Sequence, residues 1–373
     1  VVIPSGQNSR KELHALAEIF SAPTTLLQLK RKPPPVPKEK SKANDQNATA
    51  IRAAAFGNPQ HSEGASSRAR DPRVIRAEAL FWSGCPKRAM QVLSRSRNAV
   101  VLDESIKGKV NALHPPPSAA IPSPPALPRF CPTPDTVRDA VLLRMAKGSA
   151  PGLDGWTREL LLPLVHDQEC LEDLTCLVSC LMDGRYVGNQ FFRDMALSAE
   201  LHAWPKDDGG TRPISVQSAL IRFAEHVALL LVDPAAVESL LVPEQYGVGR
   251  GTERCFHEAA SWTERDDDDI LGVLLLDFSN AFNAANRSEM VRLVYAEPAL
   301  QPIWGIVTLT LGSPTRVTLF DAKGSPFHTV QSRQGVRQGA VLAPLLFSLL
   351  LNKGLTSVKR QFGEVVAYLD DAT

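Results

Sequence analysis

From Thr133-Pro134-Asp135 onward the chain alternates between two hydrophobic periods. Apolar residues recur at helical spacing over 135–146, 157–182, 218–232, 287–300 and 340–352, and strand-like runs occupy 197–204, 211–216, 270–278, 315–321, 327–333 and 364–369. This order predicts a mixed α/β class without an internal repeat. Residues 1–70 differ: Lys-Arg-Lys-Pro-Pro-Pro, Lys-Glu-Lys-Ser-Lys and Gly-Asn-Pro-Gln are joined by short apolar pieces that bury too little surface to offset chain entropy, so a basic, Pro-rich disordered tail is expected. Residues 71–114 read as a small helical region, with helical spacing from Arg73 to Arg95 broken at Ser83–Pro86. The Pro-rich stretch 115–134 reads as a linker and places a domain boundary before 135–373.

Charge sharpens this division. The net charge is only +1, yet residues 1–130 carry 20 Lys and Arg against 9 Asp and Glu, and residues 131–373 carry 21 against 31. A basic arm beside an acidic domain fits nucleic-acid contact by the arm, although on charge alone a solvated, disordered tail with no ligand is the preferred reading. With 44% hydrophobic residues in short, interrupted runs, no segment reaches the roughly 20 apolar residues that span a bilayer. The first residues, Val-Val-Ile-Pro-Ser-Gly-Gln, have neither a basic start nor an apolar signal core, which argues against secretion, and they lack an initiating Met, which reads as a fragment. The six cysteines, Cys85, Cys131, Cys170, Cys176, Cys180 and Cys255, are too sparse for a disulfide scaffold and suit a reducing, intracellular setting. Cys170, Cys176 and Cys180 lack Cys-x2-Cys spacing and are expected as core cysteines rather than a zinc site.

Two apolar runs end in carboxylates. Val365-Val366-Ala367-Tyr368-Leu369-Asp370-Asp371 delivers a pair, and adjacent strand residues face opposite sides, so both serve one site only if the chain turns there. Leu274-Leu275-Leu276-Asp277 delivers a third, from a strand apolar enough to be buried on both faces. Each has a bland alternative: Asp-Asp is a common soluble turn, and a strand-end Asp caps a helix starting near Ser279 or Asn280. The run Asp266–Asp269 reads as a solvated loop before the strand. Taken together, Asp277, Asp370 and Asp371 would hold two Mg²⁺ ions about 3.5–4 Å apart, the arrangement used for nucleotidyl transfer.

In order along the chain, the motifs resemble the reverse transcriptases of non-LTR retrotransposons. Lys147-Gly-Ser-Ala-Pro-Gly-Leu-Asp-Gly-Trp156 is similar to that group's extra fingers motif, and Ala203-Trp-Pro-Lys-Asp-Asp-Gly-Gly-Thr-Arg-Pro-Ile-Ser215 to its fingers hairpin. Glu244-Gln-Tyr-Gly-Val-Gly249, Asp277 with Ala281-Phe282, Gln334-Gly-Val-Arg-Gln-Gly-Ala-Val-Leu-Ala-Pro-Leu-Leu-Phe347 and Tyr368-Leu-Asp-Asp371 follow. The resemblance covers about 135–373 and extends weakly to Lys87–Leu93 and Leu113–Pro115. It implies a right-hand polymerase fold of α+β type: fingers from about 135 to 265 and an incomplete palm, with the thumb absent.

The resemblance also implies roles. Asp277, Asp370 and Asp371 would be the catalytic metal ligands, with Phe278 beside them; the metal would be two Mg²⁺ ions, with Mn²⁺ as a substitute. Lys206, Arg212, Phe278, Phe282, Gln338 and Gly339 would contact the nucleotide. Phe282 stands where such enzymes place a ring against a ribose 2′-hydroxyl and viral RNA polymerases place Asp, which favours dNTPs. Ala340 and Ala343 depart from the family, where many members have Asp or Cys, and Ser. The partners implied are an RNA template, a DNA or RNA primer and dNTPs, with no membrane, at an intracellular, nuclear site. The rivals are an RNA-dependent RNA polymerase and a catalytically silent nucleic-acid-binding relative. Because the chain stops just after Asp371, the chain alone is expected to be inactive and to leave an unpaired palm edge.

Overall fold

The computed structural model describes residues 29–30, 72–82, 89–90, 92–93, 102–206, 209–264, 273–274, 276–321, 324–369 and 371–372. The expected disordered tail lies almost wholly outside these residues, as do Cys85 and Asp266–Asp269. The chain divides into two compact units, Lys30–Arg95 and the remainder. The smaller carries α1 (Pro72–Trp82), in which Ala77 is buried and Phe81 meets Trp82 edge to face at 5.6 Å. No helix among the described residues is long and apolar enough to cross a membrane.

In the larger unit, α2 (Glu104–Ala112) starts at Asp103, whose carboxylate accepts the Ile106 N–H. Its Ile106 and Val110 cover one face of a four-stranded sheet. The sheet order is β2 (Thr211–Val216), β1 (Ala199–Pro205), β5 (Thr315–Phe320), β6 (Pro326–Ser332), with β1 and β5 parallel and the other pairs antiparallel. Ala199, Leu201, Val317, Leu319 and Val330 meet α2, and their alternation is what made these runs read as strands. Thus α2, grouped by sequence with the small helical region, belongs to the larger unit. The Pro-rich stretch 115–134 also lies on that unit: Ile121, Leu127 and Phe130 pack against its core, and Ser118 exchanges hydrogen bonds with Gln334.

The helical layer begins with α3 (Pro134–Asp139), capped by Thr133 and running into a π-turn over Ala140–Arg144. The guanidinium of Arg158 donates to the Val141 and Leu142 carbonyls there, at 2.9 and 3.3 Å. The helix expected over 157–182 is two helices, α4 (Arg158–Leu164) and α5 (Gln168–Met182). Asp167 starts the second by accepting the Cys170 N–H at 2.9 Å. On α5 the buried stripe is Leu171, Leu174, Val178, Leu181 and Met182. That stripe displaces the cysteines from the core: Cys176 is exposed and Cys170 and Cys180 are half-buried, correcting the expectation.

After β2 come α7 (Ala219–Leu230), α8 (Pro234–Leu240) and α9 (Thr252–Glu264), with the short α6 (Gln190–Ala196) preceding β1. A two-residue strand β3 (Val273–Leu274) is followed by β4 (Leu276–Asp277), α10 (Ala281–Ala284), α11 (Arg287–Ala296) and α12 (Gln301–Leu311). Every residue of α12 from Pro302 to Leu311 is buried, so it has no polar face and no period to read. It crosses α5 where Gly305 leaves no room: a Cβ there would lie 1.5 Å from the Met182 carbonyl oxygen. Gly305→Ala is therefore expected to lower the denaturant midpoint by about 1–3 kcal/mol of stability. An unchanged midpoint would show that the helices are not this close.

The chain closes with α13 (Ala343–Phe362), β7 (Ala367–Tyr368) and β8 (Asp371–Ala372). The last two join β4 in a three-stranded antiparallel sheet, ordered β4-β8-β7.

Candidate active site

The small sheet sets the backbone register of two of the aspartates. Asp277 pairs in register with Asp371, and Asp371 with Tyr368 across the hairpin. Asp370 lies outside the described residues. Asp277 is exposed, and α10 is entered from Asn280 without a side-chain cap, so Asp277 is not spent on capping. Like charges directly opposite across strands repel, and a cation bridging them turns that repulsion into attraction. The donor set, hard carboxylate oxygens from facing strands, fits Mg²⁺. Phe278, half-buried against the core beside Asp277, has only its carbonyl to offer a metal.

Phe282 sits on α10, its ring half-buried and 4.9 Å from that of Phe347. Its carbonyl accepts the Val336 N–H at 2.8 Å. Gly335, at φ 60°, makes this approach feasible, since a Cβ would fall 2.1 Å from the Phe282 oxygen. Gln338 and Gly339 meet the end of β2 instead: the Gln338 carbonyl accepts the Ser215 N–H at 3.2 Å, and a Cβ on Gly339 would lie 2.8 Å from the Ser215 oxygen. α13 begins only at Ala343, after Leu342, so Gln338 is not a helix cap.

Arg212 is exposed on β2 opposite Trp204, and Lys206 is exposed at the other end of the hairpin turn. The Lys206 N–H donates to the Gly210 carbonyl at 2.9 Å, and Lys109 of α2 reaches the Gly209 carbonyl at 3.4 Å. No hydrogen bond or ion pair joins Lys206 or Arg212 to the aspartates among the described residues. The structure therefore assembles three local groupings: Asp277 with Asp371, Phe282 with Gly335–Val336, and β2 with Gln338–Gly339.

Buried polar residues to which sequence reasoning gave no role support these groupings. Arg287, 1% exposed, donates to the carbonyls of Gly335, Ser332 and Gln334 and to the Ser332 hydroxyl, at 2.7–3.0 Å. Glu225, also buried, accepts from Gln217 and from the Val341 N–H, and burial raises its pKa. The Lys147–Trp156 motif is seated on the same region, with Asp154 accepting the Ser218 hydroxyl at 2.6 Å and Gly152 packed on the Ser218 backbone. Gln245 reaches the hairpin turn itself, accepting the Leu369 N–H at 3.0 Å. No side-chain period marks such residues, because their partners lie far away in the chain.

Residues 204–373 match the family described as reverse transcriptase (RNA-dependent DNA polymerase). Over 241 residues the chain is 34% identical to the retrotransposable element SLACS 132 kDa protein of Trypanosoma brucei gambiense. That alignment covers 64% of this chain and 20% of the relative, so the chain spans about a fifth of that protein's length. Residues 204–373, which include the register pairing of Asp277 with Asp371 in the small sheet, are the part of the chain similar to reverse transcriptases.

Proposed function

We propose that the domain performs RNA-directed DNA synthesis within a retrotransposon protein of the non-LTR kind. The observation that carries the reading is the cross-strand register of Asp277 with Asp371. Asp277, Asp370 and Asp371, with the Phe278 carbonyl, would hold two Mg²⁺ ions, for which Mn²⁺ is the natural substitute. When bound, the ions lower the pKa of the primer 3′-hydroxyl and offset charge on the triphosphate. The chain's own residues do the rest: Lys206 and Arg212 would bind phosphate oxygens, and Gln338 and Gly339 would support the nucleotide, where a missing side chain allows close backbone approach. RNA template, DNA or RNA primer and dNTPs are the proposed partners, and a nuclear, intracellular location is part of the proposal.

An RNA polymerase is the rival that Phe282 speaks against. Its ring is backed by Phe347 and its backbone is tied to Val336, so it cannot retreat from a 2′-hydroxyl without disturbing both. Phe282→Val is expected to raise rNTP incorporation relative to dNTP about 10-fold or more, read as the ratio of kcat/KM values. An unchanged ratio would remove Phe282 from sugar selection.

A further inference from the structure

We propose that Gln245 is a positioning residue of the polymerase site, whose side-chain oxygen holds the turn carrying Asp370 and Asp371 in its working geometry. The proposal rests on the reverse transcriptase reading and assigns a task to the Glu244–Gly249 motif, which that reading leaves without one.

Leu369, between Tyr368 and the aspartate pair, sits at φ 56°, a left-handed conformation that non-glycine residues seldom adopt. Such a conformation persists when its surroundings impose it. The surroundings here are Gln245 and its neighbours. One oxygen, Gln245 Oε1, accepts both the Leu369 N–H at 3.0 Å and the Gly247 N–H at 2.8 Å. These two donors decide which end of the amide faces the turn. Gln245 is fully buried, and its Nε2 has no partner among the described residues, so its contribution to the turn comes through the accepting oxygen.

The backbone reinforces the contact. Gln245 bridges in parallel to Ala367, whose N–H donates to the Glu244 carbonyl at 2.9 Å and whose carbonyl accepts the Tyr246 N–H at 2.8 Å. Lys359 of α13 anchors Glu244 through an ion pair. On the far side, Gly247 interlocks with the turn: a Cβ there would lie 2.8 Å from Leu369 N and 2.5 Å from Leu369 Cδ2. Two residues beyond Leu369, the backbone of Asp371 pairs in register with that of Asp277. Movement of the turn is thereby transmitted to the carboxylate spacing, and displacements near 1 Å cost catalysis about 100-fold.

The test is primer extension on an RNA template with dNTPs, using the full-length protein. Gln245→Met keeps the volume and removes the acceptor; it is expected to lower kcat about 10–100-fold and to raise the Mg²⁺ concentration for half-maximal rate, leaving the KM for primer–template unchanged. Gln245→Glu, whose carboxyl oxygen accepts both N–H groups, should recover most of the rate. Gly247→Ala disturbs the same turn from the other side and should reproduce the kinetic signature of Gln245→Met, so the idea stays testable if the latter folds poorly. Wild-type rate and Mg²⁺ dependence in Gln245→Met, or in Gly247→Ala where Gln245→Met does not fold, would overturn the proposal alone. So would a loss that Gln245→Glu fails to restore and that falls on primer–template KM. A wild-type protein that extends no primer would overturn the polymerase reading, and the proposal with it.

Discussion

Replacing Asp277 by Asn is expected to cut primer extension by more than about 100-fold while leaving the metal-free protein at least as stable as wild type. The two effects share one cause. Asp277 and Asp371 are cross-strand partners in register, and Asp277 is exposed on a two-residue strand. Without a cation, two carboxylates in that position repel, so removing one charge relieves the sheet. With a cation, the same pair supplies oxygen ligands that an Asn replaces poorly. Thermal melting in a chelator should show an equal or higher midpoint for Asp277→Asn, and added Mg²⁺ should raise the midpoint of wild type but not of the variant. A variant that melts lower in chelator, or that still responds fully to Mg²⁺, would mean that Asp277 is structural.

The largest expected effect on stability belongs to Arg287. Its guanidinium is 1% exposed, and burial, with Arg337 adding like charge, pushes its pKa down to about 9. That direction reflects the desolvation penalty, which four hydrogen bonds to the Ser332–Gly335 segment offset. Arg287→Met strands three buried carbonyls and should cost about 3–5 kcal/mol, measured as a shift in denaturant midpoint. Arg287→Lys should rescue little, because a single ammonium does not match the fork of acceptors. Since Gly335 and Val336 lie against the Phe282 carbonyl, the surviving folded protein should also discriminate less well against rNTPs. A midpoint within experimental error of wild type would contradict this account of the segment.

How much of this was legible in the sequence depended on the distance over which each feature is decided. Alternation at Ala199, Leu201, Val317 and Leu319 is local, and it marked the strands of the main sheet. Thr133-Pro134 marked the start of α3 in the same way. Helix α12 was missed because burial on every side erased its period. The break before α5 was missed because Asp167 reads as one more polar residue until its carboxylate is seen on the Cys170 N–H. At the site, the letters Asp277, Phe282, Gln338 and Tyr368–Asp371 stood out as chemistry. The roles of their supports did not: Gln245, inside a quoted motif, acts on a residue 124 positions away and Arg287 on one 48 away, and neither separation leaves a local pattern.

The most direct measurement is RNA-templated extension of a labelled primer by the full-length protein in Mg²⁺, with dNTPs or rNTPs, beside its Asp370→Asn variant. The account predicts template-dictated DNA products from dNTPs, little product from rNTPs, and none above background from the variant. Equal extension by Asp370→Asn, or rNTPs used as readily as dNTPs, would contradict it.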